Sequence, residues 1–252
     1  MDTISRSERR KQQQKGKSKV FRYLYIVLIV AGLGILGYSG TQWFLVRQHQ
    51  DQLRESYEAT AGFRNLFEGD DEGIEIREFE PMRLVVPAID VDLIVEGDVD
   101  TYDPDQFGSE PWRFSRDQYD RWLEGLDPLL DKGPVYYQFS DLPSTEGGNV
   151  VIAGHRAGRW NFFRYLDELE KGDRIHLDVA GYRFTYLVDE VAQVDADDWS
   201  MLRSTEEPAI TLQTCAPLGV PNPPYRLNAR GYLEEVSYLG AADQAPETPE
   251  VD

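Results

Sequence analysis

The sequence is poor in the residues that staple or metallate small proteins. It holds one cysteine, Cys215, and three histidines among 252 residues. A single cysteine excludes an intrachain disulfide framework and any cysteine-rich zinc site. The acids between positions 68 and 80 lack the spacing of a calcium loop, so no metal and no cofactor are expected. Positive charge is also scarce, with 26 Lys+Arg against 45 Asp+Glu and a formal charge of −19. So acidic a chain lacks the basic face a general nucleic-acid binder needs for phosphates. Disorder throughout is excluded by 41% hydrophobic residues and five tryptophans.

What positive charge exists is concentrated at one end. Residues 1–22 carry eight basic side chains against Asp2 and Glu8, a local charge of +6 that leaves −25 on the other 230 residues. Next comes the one long apolar run, Val20–Val46, with no charged residue from Tyr23 to Tyr38. Extended through Trp43–Val46, it reaches the roughly 20 residues a helix needs to cross the bilayer core. Tyr23, Tyr25, Tyr38 and Trp43 suit the two interfaces. A buried core helix would leave the basic flank unexplained. A cleaved signal peptide would need a small-x-small site, and none is clear. The expectation is an uncleaved, single-pass anchor in the cell membrane. The positive-inside rule puts 1–19 in the cytoplasm and the rest of the chain, after the anchor at 20–46, outside the cell.

Residues 47–80 are polar and increasingly acidic and read as a solvated, self-repelling stalk, with His49 in solvent. Residues 81–238 read as the folded domain and 239–252 as a disordered acidic tail. Within the domain many short β-like segments alternate with few helices. Arg83–Ile89 and Val91–Val95 are β-like, and Asn149–Ala153 is a continuous apolar run typical of a buried strand. Asn161 could cap a short helix with Phe162, Leu166 and Leu169 on one face. Ile175, Leu177 and Val179, then Tyr182, Phe184, Tyr186 and Val188, alternate with polar residues about an Ala180-Gly181 turn, which makes a hairpin. Ile210–Cys215 and Arg226–Val236 complete a mostly β domain, a small barrel or sandwich. An insertion at about 98–134 departs from that plan. It holds an amphipathic helix with Ser115 as N-cap and Tyr119, Trp122, Leu123 and Leu126 on one face, then a second short helix capped by Asp127. This insertion either packs on the barrel or, through aromatic residues near Trp112, forms a lid.

Chemistry narrows to a few residues. His176 sits on the polar face of its strand and reads as structural. His155 directly follows the apolar strand and Gly154, so a rigid element holds its base while its ring is half exposed. Cys215 ends the strand Ile210–Cys215, sharing a face with Thr211 and Gln213. The following loop has prolines at 217, 221, 223 and 224 and returns as a strand at Arg226. Antiparallel pairing would place Cys215 and Arg226 at one end of the sheet. A thiolate attacks, an imidazole exchanges protons with the leaving and entering amines, and a guanidinium steadies an oxyanion. Together they suffice for acyl transfer.

The run NVVIAGHR at 149–156, GDRI at 172–175, TLQTC at 211–215 and an arginine eleven residues on resembles the sortase family, over about residues 82–236. Its subclass looks more like class D/E than like the pilin-polymerising enzymes. The resemblance implies a closed eight-stranded β-barrel with a few short helices behind one transmembrane helix. It also implies a surface cysteine transpeptidase. Cys215 would attack the Thr–Gly bond of an LPxTG-like C-terminal sorting signal, giving a thioacyl enzyme. His155 would protonate the departing amine and deprotonate the entering one, and Arg226 would orient the signal and stabilise the oxyanion. Arg230 has the same strand parity but lies farther from the loop. The segment Asp195–Pro208 would help recognise the signal. The partners implied are secreted proteins bearing that signal and an amine of peptidoglycan or of a pilin. The rival reading is a membrane-anchored scaffold with an inert, buried cysteine.

Overall fold

The structure is a computed structural model that describes residues 6–64, 74–97, 114, 116–158, 160–221 and 223–239. The expected N-cap Ser115, the aromatic segment around Trp112 and the tail from 240 onward lie outside the described residues. The chain forms two compact units, residues 1–48 and 49–252. The first is the N-terminal part of one helix, α1 (Arg6–Arg64), which runs on into the second, and its apolar side chains from Phe21 to Leu45 are exposed. One helix among the described residues, Phe21–Ala59, is long and apolar enough to cross a membrane.

The second unit is a mostly β, nearly closed eight-stranded barrel. Its strands are β1 (Met82–Val86), β2 (Val91–Val95), β3 (Val135–Tyr136), β4 (Asn149–Ala153), β5 (Arg174–Val179), β6 (Tyr182–Asp195), β7 (Ala209–Ala216) and β8 (Tyr225–Tyr238). Their order in the sheet is β2-β1-β5-β6-β8-β7-β4-β3. The two edges meet through a single parallel bridge, Glu96 with Val135. There the Glu96 N–H donates to Pro134 O (2.7 Å) and the Tyr136 N–H to Glu96 O (2.8 Å). Closing the ring removes the sticky edges an open sheet would expose.

Alternation decides which side chains fill the barrel. Leu84, Ile152, Leu177, Phe184, Ile210 and Leu212 are fully buried in its interior cluster, each worth about 1.5–3 kcal/mol of burial. β4 reads as apolar throughout because both of its faces are covered. Val150 and Ile152 face the barrel core, while Val151 and Ala153 join a second cluster outside it. That outer cluster is supplied by α2 (Arg116–Leu130), whose Trp122 and Leu126 pack with Tyr137 and Leu202. The described part of the insertion is therefore a helix packed on the barrel.

Several expected local structures differ. The two helices expected in the insertion are one, with Pro128 inside it. Pro128 and Glu124, the residue whose carbonyl loses its partner, are both exposed, so water can replace that bond. The strand expected over Arg83–Ile89 stops at Val86, because Pro87 opens a 3-10 turn over Pro87–Ile89. The helix expected after Asn161 is only a 3-10 turn at Leu166–Glu168, and Phe163 rather than Phe162 is its buried aromatic. The hairpin turn is as expected, with Val179 paired to Tyr182 and both Ala180 (φ 54°) and Gly181 (φ 83°) left-handed, as a type I′ turn requires.

The segment expected to be a solvated stalk is in contact with the barrel at both ends of its described part. His49 bonds Glu96 rather than solvent. The Gln50 side chain pairs with both backbone groups of Ile94, and Arg54 bonds Asp92 (3.1 Å). Tyr57 is buried. Farther on, the Ile76 N–H donates to Pro143 O (2.9 Å), with Ile76 in the barrel core.

Candidate active site

Three adjacent strands bring the predicted residues together. β7 and β8 are antiparallel, with Cys215 directly opposite Arg226. β4 lies on the other side of β7 and runs parallel to it, with Ala153 abreast of Gln213. That register continues past the strand end. The Gly154 N–H donates to Gln213 O (3.0 Å), and Thr214 Oγ1 donates to Gly154 O (2.7 Å). His155 follows Gly154 directly, at the same end of the sheet as Cys215. The order across the sheet is His155, Cys215, Arg226, and with strands about 4.8 Å apart the row spans about 10 Å. All three line one cleft of about 910 Å³ on the outer face of the barrel.

Each member is held differently. Cys215 is half-buried and has no disulfide. Gly154, ahead of His155, must be glycine, because a Cβ there would meet the Phe163 ring at 2.8 Å. The Phe163 N–H then donates to the His155 carbonyl (3.0 Å), and Arg156 is tied to Asp167 (2.7 Å). These ties fix the backbone on both sides of His155 and leave its side chain 29% exposed, with Nε2 3.6 Å from Asp131 Oδ1. Arg226 donates through Nη1 to Pro223 O (3.1 Å) and Tyr225 O (3.0 Å). The proline-rich loop thus parks the guanidinium at the cleft mouth.

Arg230 is placed elsewhere. It stands opposite Thr211, is 8% exposed, and bonds Thr211 Oγ1 (3.3 Å) and the Met201 carbonyl. That same carbonyl accepts from Asn149 Nδ2 (3.0 Å). This buried polar knot anchors the 3-10 turn Ser200–Leu202 and so the adjoining Trp199, a wall of the cleft. The Ser200 N–H donates to Asp198 Oδ1 (2.9 Å), which holds that carboxyl below its ordinary value. The expected recognition segment Asp195–Pro208 does border the cleft, through Asp195, Ala196, Asp197 and Trp199.

Sequence reasoning missed the floor and the far wall. Gln213 lies under the cleft, with Tyr137 Oη donating to its Oε1 (3.1 Å) and its Nε2 donating to Asn228 Oδ1 (2.9 Å). Its parity with Cys215 was the available signal. Asp127 and Leu130 of α2 form the opposite wall, and nothing local in the sequence showed which wall α2 would build. A half-buried thiol, an imidazole and a guanidinium in one row inside a cleft can perform nucleophilic acyl transfer.

The sortase domain family model matches residues 84–234. Sortase D of Bacillus subtilis (strain 168) is 38% identical over 107 residues, 41% of this chain and 52% of that protein. Sortase SrtE1 of Streptomyces coelicolor is 30% identical over 103 residues, 35% of this chain and 29% of that protein. The matches thus span about half of the first relative and under a third of the second. Among solved structures, sortase A from Corynebacterium diphtheriae is 19% identical, with 76% of this chain and 85% of that one covered and a TM-score of 0.48. Sortase E1 from Streptomyces coelicolor, solved with a tripeptide in its active site, is also 19% identical, with 66% and 94% covered and a TM-score of 0.48.

Proposed function

The chain belongs to the sortase family, and from that premise we propose that it is a membrane-anchored cysteine transpeptidase for C-terminal sorting signals of secreted proteins. The observation that carries the reading is that His155, just past the end of β4, and the facing pair Cys215 and Arg226 on β7 and β8 line one cleft. Cys215 Sγ, as thiolate, attacks the scissile carbonyl, of a Thr–Gly bond in an LPxTG-like signal. The C–N bond breaks, the amine leaves with a proton from His155, and a thioester remains on Sγ. An amine of peptidoglycan or of a pilin then attacks the thioester, giving its proton to His155 and releasing the Cys215 thiolate. Arg226 turns from the loop carbonyls it now holds to the substrate and the oxyanion of each tetrahedral intermediate. The anchor in the first unit keeps the N-terminus in the cytoplasm and the barrel at the outer surface.

The test is incubation of the chain with a library of sorting-signal peptides and an amine acceptor, followed by mass spectrometry. A ligated product from at least one signal supports the reading. Intact peptides throughout, with Cys215 refractory to thiol reagents, would favour an inert scaffold.

A further inference from the structure

The geometry points to Asp131 as a positioning residue for His155, held at its post by Gln50 of the helix that leads out of the anchor. This rests on the reading of His155 as the proton-transfer group.

Asp131 begins the turn between α2 and β3. Its Oδ1 lies 3.6 Å from His155 Nε2, an ion-pair distance that a small closure converts to a hydrogen bond. Such contacts are often long before substrate binds. Other charged groups share the cleft: Asp127 from α2, Asp195 and Asp197 from the β6–β7 connection, and Arg226 from β8. Neighbouring Arg156 is turned away onto Asp167. Among the described residues Asp131 is the acid within ion-pair range of the ring. A carboxylate at Nε2 favours the tautomer with its proton there and leaves Nδ1 to exchange protons with the amines.

The turn itself is fixed from two sides. The helix end holds it through Asp131 N–H to Asp127 O (3.1 Å), Lys132 N–H to Leu129 O (2.8 Å) and Gly133 N–H to Leu129 O (3.1 Å). Gln50 holds it from the other side. Its Nε2 donates to Lys132 O (3.1 Å) and to Ile94 O (3.2 Å), and its Oε1 accepts from the Ile94 N–H (3.0 Å). That amide occupies the seam between β2 and β3, beside the Glu96–Val135 bridge. Gly133 makes the approach possible, since a Cβ there would meet Gln50 Nε2 at 2.5 Å. The helix after the anchor is therefore the outer brace of the turn that faces the catalytic ring.

The test uses the full chain in lipid nanodiscs, with Asp131→Asn, Asp131→Glu and Gln50→Leu. Nitrogen-15 spectra of the three histidines, assigned with His155→Ala, report the His155 tautomer without any need for turnover. Asp131→Asn is expected to mix the tautomers and to lower kcat roughly 10- to 100-fold, the scale on which a metal-bound histidine suffers when its outer partner is removed, with KM unchanged. Added salt should slow the wild type but not this variant, because the pair is exposed. Asp131→Glu should restore much of both signals, and Gln50→Leu should move the tautomer signal in the same direction by less. An unchanged tautomer in Asp131→Asn, or no rescue by glutamate, overturns the role of Asp131. An unchanged signal in Gln50→Leu overturns the brace. A tautomer that responds in a chain that transfers no peptide would uphold the positioning and sink the transpeptidase reading.

Discussion

His176 and His155 stand on opposite walls of one barrel in opposite surroundings. On the β1–β5–β6 wall the charged groups satisfy one another. Asp178, 1% exposed, takes two bonds from Arg183 (2.7 and 2.8 Å) and an ion pair from Arg83 (3.7 Å). Arg83 also bonds Asp92, whose carboxyl it holds down to about 2. His176 bonds Thr185 across the ladder (3.1 Å). On the β4–β7–β8 wall the thiol, imidazole and guanidinium line an open cleft instead. A saturated network supplies stability and leaves nothing for a substrate to displace. A row at strand ends, with the Arg226 guanidinium on loop carbonyls and the His155 ring beside Asp131, keeps its reactive atoms in a cleft a substrate can enter.

The sharpest way to break this comparison is to delete from the open wall. Cys215→Ala and His155→Ala are each expected to cut peptide transfer by at least about 10³-fold while circular dichroism stays native. Appreciable transfer in either would erase the distinction between the walls. The two arginines on β8 come next. Arg226→Ala should lower kcat about 10²- to 10³-fold with little change in Tm. Arg230→Ala should do the reverse, losing Tm because it strips bonds from Thr211 and Met201.

On the saturated wall, Asp178→Ala leaves Arg83 and Arg183 without their shared carboxylate. A loss of about 3 kcal/mol in chemical denaturation is expected, at the low end for a broken buried pair because both arginines reach solvent. The kcat of the folded fraction should not change. The smallest effect is a pH dependence. Burial, helped by the Arg183 charge, holds the His176 imidazole below its ordinary 6.5. The unfolded chain then takes up that proton first as pH falls. Stability from this site is therefore present above pH 6.5 and declines below it, read as a Tm that falls as the pH is lowered from 7 to 5. His176→Gln should flatten that slope.

The open wall was the more legible of the two from sequence. TLQTC and its loop put Cys215 and Arg226 at one end of a hairpin, because antiparallel alternation is a local rule. The neighbouring position of His155 was not local. It depends on the parallel pairing of β4 with β7, set by which strands close the ring, and no pattern within either segment shows that. The saturated wall was opaque for a related reason: Arg83, Asp92, Asp178 and Arg183 each read as ordinary polar-face residues until the ladder set them side by side. The region after the apolar part of α1 misled most. His49, Gln50 and Arg54 look solvated by composition, yet their partners, Glu96, Ile94 and Asp92, lie some forty residues away in the chain. Short-range periodicity likewise could not decide between Phe162 and Phe163, a choice made by the space under Gly154.

One measurement bears most directly on the row of three residues. The protein is mixed with a cleavable sorting-signal peptide, quenched in acid and digested, and the fragment containing Cys215 is weighed. The account predicts a thioester between Cys215 and the N-terminal part of the peptide, lost on adding an amine. Cleavage of the peptide with Cys215 left unmodified, or an acyl group carried on another residue, would contradict it.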